Sequence, residues 1–314
     1  MSPRNATAAA PDEAYMSMRQ WAVPLGGSAW GKFFAGPKKI PICDFAPLVQ
    51  PDTICLPDGS ATTADIAAET CQEVALALAA GPGVVLAFFL GVALPCVMAA
   101  QKKWDVKRLV GPPPTPAQQM VLHRLDLARQ YRILHRPTRF AQLLTLPPAA
   151  EHAAPSGPEF LALMARLRQP MASNVPFTLA ILPPGQGEKF ALRNRASVLA
   201  WLRARRVGVL TPETSPFEDI ATQLARATRV LMMDPRQAGL LGLCTPGTKV
   251  LEVAPEGWAS GRCRALCSAT GLQWRIFLAT PPGYPLLRPL SFGATTSLSY
   301  EIPIDSLAFS LKEL

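Results

Sequence analysis

Between Val74 and Ala100 the chain runs for 27 residues without a charged side chain, and any fold it adopts must hide that stretch. Two environments can do so. By length alone the run qualifies as a transmembrane segment, with Lys102, Lys103, Lys107 and Arg108 behind it as a cytoplasmic basic flank. Its interior argues for a protein core instead. Gly81-Pro82-Gly83 is turn chemistry, which splits the run into a helix ending near Ala80, a short buried strand at Val84–Phe88 and a second helix start. Each piece is then too short to span a bilayer and has the length of a core element.

The chain has 314 residues, 49% hydrophobic and 17% charged, enough for two domains of ordinary size around well-filled cores. Lys and Arg outnumber Asp and Glu by 31 to 22, so the net charge of +9 selects anionic partners: phosphates, anionic glycans or an anionic membrane face. The opening MSPRNATAAAPDEAYMSMRQW has Pro, Asp and Glu where a secretory signal needs an apolar stretch, and reads as a loose arm. Seven cysteines (43, 55, 71, 96, 244, 263, 267) are scattered without a Cys-x-x-Cys pair, which argues against a disulfide framework and for a reducing compartment. Cys263 and Cys267 lie one helical turn apart, but His123, His135 and His152 are distant in sequence, so no metal site is expected.

Downstream, short apolar runs alternate with helical periods. Strands are expected at Val106–Val110, Tyr131–Leu134 and Gln142–Leu146, with a helix at Ala117–Leu127 opened by Thr115 as N-cap and Pro116 behind it. The Pro-rich stretch Pro147–Pro158 has no periodicity and reads as the linker between domains 1–158 and 159–314. Helices are then expected at Glu159–Arg168, Ala196–Arg205, Phe217–Ala227, Ala238–Leu243 and Arg262–Thr270. Strands alternate with them at Phe177–Leu182, in VGVLTPE, at Arg229–Met233, Lys249–Val253 and Trp274–Leu278. Consecutive βα units of this kind build an α/β fold with doubly wound parallel sheets. Residues after about Gly283 read as a loop-like tail, free to cross back over the first half.

In such sheets ligands sit beyond the carboxyl ends of the strands, where helix N-termini present free N–H groups. The segment from Arg229 to Gly257 has that layout: strand RVLMM, the turn Asp234-Pro235-Arg236-Gln237, then Ala238-Gly239-Leu240 opening a helix. Gly239 would admit a ligand close to the backbone, Arg236 would grip a diphosphate bidentately, and Glu252 would accept bonds from a ribose diol. The same residues also fit a βα turn without a ligand. Glycine is common there, Gly247 makes an ordinary Pro-Gly turn, and Arg236 serves as a solvated surface cation.

Three stretches resemble the family 61 glycosyltransferases, in an order and spacing that agree from about residue 75 to 280. LARATRVLMMDPRQAGLLGLCTPGTKVLEVAPEG is similar to the family's alanine-rich helix and strand leading into His-Gly-Ala-Gly-Leu, a Pro-Gly turn and a Val-x-Glu strand. FFLGVALPCVMAAQKKWDVKRLVGP resembles its His-Trp-(two residues)-Asp-x-Leu-Pro helix followed by a strand. ALRNRASVLAWLRARRVGVLTPE resembles its Arg/Asn-rich helix start and the strand ending in Pro-Glu.

The resemblance implies a GT-B-like fold, two Rossmann-like domains facing a cleft, with 1–158 on the acceptor side and 159–314 holding a nucleotide sugar. It implies sugar transfer to a glycan or lipid-linked acceptor in polysaccharide biosynthesis, without metal or other cofactor, in the cytoplasm or peripherally at the inner face of its membrane. Carried over residue by residue, it assigns the donor site to Arg236, Gln237, Ala238, Gly239, Leu240, Asn194 and Glu252, and the cleft lining to Phe88, Phe89 and Val92.

The departures bear on chemistry. Arg236 and Gln237 stand where the family has His and Gly, Gly242 where Asn is usual, Arg195 at an acid and Ile220 at a Gln, while Phe88, Phe89 and Val92 replace polar positions. Inverting transfer needs a general base, and neither Phe88 nor Arg236 is one at neutral pH. Glu213, at the end of VGVLTPE, is the candidate replacement, although an acid there also serves as an ordinary helix-start residue; His123 and His135 read as surface histidines. The alternative is a catalytically inactive homologue that binds or scaffolds an active glycosyltransferase or membrane assembly partner. If Phe88, Phe89 and Val92 face the cleft, that alternative gains; if they point into the core, the enzyme reading survives. A nucleic-acid reading of the arginines at 203–206 finds no aromatic residues interleaved as stacking platforms, so no nucleic-acid partner is expected.

Overall fold

The computed structural model describes residues 48–51, 54–55, 61–62, 68–78, 80–81, 84–104, 106–145, 157–170, 176–183, 190–255, 261–279 and 298–312. The expected N-terminal arm and the linker at 147–156 lie outside the described residues. The chain is mixed α/β with two sheets built largely of parallel strands. The first contains β1 (Leu48–Pro51), β2 (Ile54–Cys55), β3 (Ala61–Thr62), β4 (Glu69–Ala77), β5 (Arg108–Gly111), β6 (Tyr131–Ile133) and β7 (Thr138–Thr145). Its order is β3-β2-β7-β4-β5-β6, with β1 also on β7; β7, β4, β5 and β6 run parallel, and β1 and β2 are antiparallel to β7.

The apolar run therefore starts as a strand, where a helix ending near Ala80 was expected. Ala75 and Ala77 face one side of the sheet and Leu76 and Leu78 the other, and all four are buried. A parallel strand covered on both faces loses the polar alternation that marks strands, and its Ala-Leu composition then imitates a helix. The expected strand at Val84–Phe88 is likewise corrected: Leu86 opens α1 (Leu86–Lys103). This helix is long and apolar enough to cross a membrane, yet 67% of it is buried inside the protein. Its middle, Phe89–Ala93, widens to a π-turn just ahead of Pro95, whose missing N–H breaks the regular ladder there.

Gln118, on α2 (Pro116–Arg124), closes the turn before α1 and is 1% exposed. Its Oε1 accepts from the N–H of Gly81 (2.8 Å) and Thr115 (2.9 Å), and its Nε2 donates to the carbonyls of Gly81 (3.3 Å) and Val84 (3.0 Å). Thr115 and Gln118 together form a capping box, so one amide serves both a cap and a distant turn. Gln118→Leu is expected to cost about 2 kcal/mol, because backbone groups left buried lose their partners. Urea unfolding that gives an unchanged midpoint would contradict this.

The second sheet follows α3 (Pro158–Leu167). It comprises β8 (Thr178–Ile181), β10 (Gly208–Leu210), β11 (Arg229–Met232), β12 (Lys249–Pro255) and β13 (Gln273–Ala279), all parallel in the order β10-β8-β11-β12-β13. Between β8 and β10 lie β9 (Phe190–Leu192) and α4 (Arg195–Ala204); α5 (Phe217–Arg226) precedes β11, and α6 (Arg262–Thr270) precedes β13. α5 buries Phe217, Ile220, Ala221, Leu224 and Ala225, the spacing of one helical face, and carries Glu218 and Asp219 at its positive N-terminal end.

The tail departs from expectation. Instead of a loop over the first half, residues 298–312 form β14 (Leu298–Tyr300), parallel to β9, and α7 (Ile304–Lys312), which packs with α4 on the outer face of the second sheet. The inner face belongs to the largest apolar cluster, which runs from Leu76, Leu109 and Leu144 of the first sheet through α1, α3 and α5 to Ile181, Val230 and Met232 of the second. Burying one such large side chain is worth about 1.5–3 kcal/mol, so this shared layer dominates what joins the halves.

Candidate functional site at the carboxyl ends of the second sheet

Numbered along the chain, the second sheet has the strand order 2-1-3-4-5, so successive connections diverge at the β8–β11 boundary. A doubly wound sheet opens its ligand crevice at that boundary, beyond the carboxyl ends. Asp234 follows β11 there and caps the 3-10 helix Pro235–Leu243, an Asp-Pro start that sequence reasoning treated only as a turn. Its carboxylate is fully buried. Oδ1 accepts from the backbone N–H of Arg236 (3.1 Å) and from Arg236 Nε (2.9 Å), and Oδ2 accepts from Nη2 (2.9 Å). Arg236, 22% exposed, thus spends one fork of its guanidinium on its own turn.

Glu213 comes in from the loop after β10. Its residue is exposed as a whole, but its carboxyl end turns inward, where Oε1 accepts from Gln237 Nε2 at 2.7 Å. Burial of that end raises its pKa, the neighbouring Asp234 charge raises it further, and a backbone hydrogen bond, Arg236 and Gln237 oppose the shift. Gln237 is fully buried, and its Oε1 has no hydrogen-bond partner among the described residues. Arg195, at the first turn of α4, donates from Nη1 to the Pro183 carbonyl just past β8 (3.1 Å), which adds a second guanidinium at the boundary.

Other expected site residues lie elsewhere. Asn194 donates from Nδ2 to the Ile302 carbonyl (2.7 Å) and accepts at Oδ1 from the Ile302 N–H (3.1 Å), so both ends of its amide are engaged in holding the tail. Ala238 and Leu240 are core residues. An alanine Cβ at Gly239 would stand 2.3 Å from the Ala87 carbonyl oxygen of α1, so helix backbone takes the approach assigned to a ligand. Gly242, three residues on and therefore on the same side of a 3-10 helix, packs against the side chains of Phe160 and Met164 of α3, which an alanine Cβ would meet at 2.6 Å.

Glu252 faces inward from β12 with Val250 and is fully buried, away from any ribose. Trp274 Nε1 donates to its Oε2 (2.8 Å), while Oε1 has no hydrogen-bond partner among the described residues. Burial pushes its pKa up to about 7, against the Trp274 bond and the nearby Cys263 thiol. Phe89, in the shared core, and Val92 are 0% and 1% exposed, too buried to line a cleft; Phe88 is half-buried. His123 and His135 are exposed. Among the described residues no group of three His, Cys, Asp or Glu is placed to hold a metal ion, and the described cysteines are free thiols.

Sequence reasoning missed Tyr300. Its buried hydroxyl donates to the Met233 carbonyl (2.6 Å), which fixes the backbone just before Asp234 from 67 residues away, and no local signal announces such a contact. A shallow hollow of about 470 Å³ lies elsewhere, lined by Gln101, Lys102, Lys103, Trp104, Val106 and Gln130 at the C-terminal end of α1. Its lysines are placed to complement the negative helix end, and it holds none of the carboxylate chemistry. No protein-family model matches the chain, and no curated protein matches it in sequence.

Proposed function

We propose that this chain is a glycosyltransferase-like protein of polysaccharide biosynthesis with a GT-B-like arrangement, taking a nucleotide sugar at the β8–β11 boundary and a glycan or lipid-linked acceptor opposite it. The supporting observation is the convergence of Glu213, Asp234, Arg236 and Gln237 where the strand order reverses. In this reading Arg195 and Arg236 hold the diphosphate and the unpartnered Gln237 oxygen accepts a hydroxyl. Glu213, whose pKa burial raises above the ordinary carboxylate value, takes the acceptor proton as the acceptor oxygen bonds to the anomeric carbon, and the diphosphate leaves with its electron pair. The two guanidiniums supply the positive charge; no metal is invoked.

The Asp234–Arg236 pair favours a second reading. A diphosphate must displace or bypass a buried carboxylate already in the guanidinium fork, which weakens donor capture. The chain then serves as a binding or scaffolding partner of an active enzyme.

A thermal-shift panel of nucleotide sugars separates the two. One uridine or guanosine diphosphate sugar is expected to raise Tm, by the equivalent of about 2.7 kcal/mol at a hundredfold excess over Kd, and Arg236→Ala to abolish the rise. With that donor, Glu213→Gln is expected to lower transfer by about 10²–10⁴. Binding without transfer selects the scaffold; no stabilisation by any donor removes the nucleotide-sugar reading.

A further inference from the structure

The outer face of the second sheet carries a charge arrangement that the carboxyl-end site does not use. α4 ends in a Schellman turn: Arg206 N–H bonds the Arg203 carbonyl and Val207 N–H the Leu202 carbonyl, both at 3.0 Å. The residue that must turn left-handed there is Arg206, at φ 57°. Glycine takes that position at the end of α6, where Gly271 has φ 73°. A side chain with a Cβ is disfavoured in this conformation, and Asp126, the other non-glycine case among the described residues, belongs to a type that tolerates it. An arginine kept against its backbone preference points to a use for its side chain.

Its surroundings show which use. Arg203, Arg205 and Arg206 are all exposed, and no acidic residue occurs on α4. Among the described residues neither Arg203 nor Arg206 forms an ion pair or side-chain hydrogen bond, while Arg205 stacks 4.5 Å from the Trp201 ring. α7 packs beside α4 on the same core and presents Phe309, 56% exposed, with Lys312 one turn on; Glu301 and Asp305 are the described acids of this segment. Unpaired arginines on one helix and a protruding phenylalanine on another helix of the same core match the anionic headgroup layer over an apolar interior. Nucleic acid fits less well, because Trp201 is 8% exposed and offers no open ring for a base.

We propose that the face formed by α4 and α7 docks this protein on an anionic lipid bilayer, with Arg203, Arg205 and Arg206 on the headgroups and Phe309 in the interfacial layer. The surface is separate from the carboxyl-end cluster and stands whether or not that cluster transfers sugar.

Co-sedimentation of the full chain with vesicles tests it. Phosphatidylcholine vesicles containing phosphatidylglycerol are expected to bind the protein, and phosphatidylcholine alone to leave it in solution. An arginine near an anionic leaflet contributes about fivefold in partition, so Arg203→Gln with Arg206→Gly should weaken binding about 30-fold. Phe309→Ser should weaken it further, in high salt as in low. Arg206→Gly alone should leave Tm unchanged or higher, since glycine suits the left-handed turn. Equal binding to neutral vesicles, no binding to either kind, or full binding by the double variant overturns the proposal. Tighter retention of duplex DNA than of vesicles, or a Tm lowered by Arg206→Gly, overturns it as well.

Discussion

Replacing Gly239 by alanine is expected to lower the stability of the ligand-free protein by about 3 kcal/mol or more, the upper range for forcing an atom into a packed core. The new Cβ would lie 2.3 Å from the Ala87 oxygen, a backbone atom in the first turns of α1 that cannot rotate aside. Either α1 or the 3-10 helix must shift, and both are pinned by fully buried neighbours, Leu90 and Leu240 among them. Gly247, eight residues on, supplies the control. It has nothing within 4 Å of a Cβ but sits at φ 89°, so alanine there should cost only the backbone penalty of about 1–2 kcal/mol. Urea unfolding of both variants without ligand decides what the motif glycine is for. If Gly239→Ala unfolds like wild type and loses only nucleotide-sugar binding, the glycine serves a ligand and the packing account fails.

The second large effect is a dependence of stability on pH through Glu252. The native state holds its proton up to about pH 7, whereas the unfolded chain releases it near 4.5. Between those values the folded form binds more protons, so stability is fully present below about 4.5 and falls as pH rises through 7, by about 3 kcal/mol in all. Glu252→Gln should remove most of that slope. The amide is neutral at every pH and keeps an acceptor for Trp274 Nε1. Unfolding midpoints at pH 5 and pH 8 are expected to differ in wild type and to converge in the variant, which becomes the more stable protein at pH 8. A wild type equally stable at both would show that water or a structural opening already solvates the carboxylate.

The second sheet was legible because each of its βα units carries its own local signals. α5 shows one buried face at helical spacing, and α6 was delimited by its period, with glycines at both ends. The start of the apolar run was not legible. VALALAA has the composition of a helix, and only burial between two parallel neighbours makes its first residues, Val74–Ala77, part of a strand. The position of the candidate site followed from the strand-turn-helix grammar, but its internal chemistry did not. That Arg236 folds back on Asp234 is local, a two-residue separation compatible with an Asp-Pro cap. That Gly239 faces Ala87, Asn194 holds Ile302 and Tyr300 braces Met233 depends on segments far apart in the chain, and periodicity carries no trace of them.

The apolar layer between the sheets also sets an order of events during synthesis. α1 begins at Leu86, and the 3-10 helix that covers Ala87 begins at Pro235, so 149 residues separate the two. At ribosomal rates of about 5–20 residues per second, that covering segment emerges roughly 7–30 s after the start of α1. The first sheet can complete its strands in that interval, since β7 ends at Thr145, and α3 can cover the C-terminal part of α1, while its first turn waits for the 3-10 helix. For that period a helix with the length and composition of a membrane span is only partly covered. Its capture by a chaperone, or by a bilayer, competes with folding until Gly239 arrives.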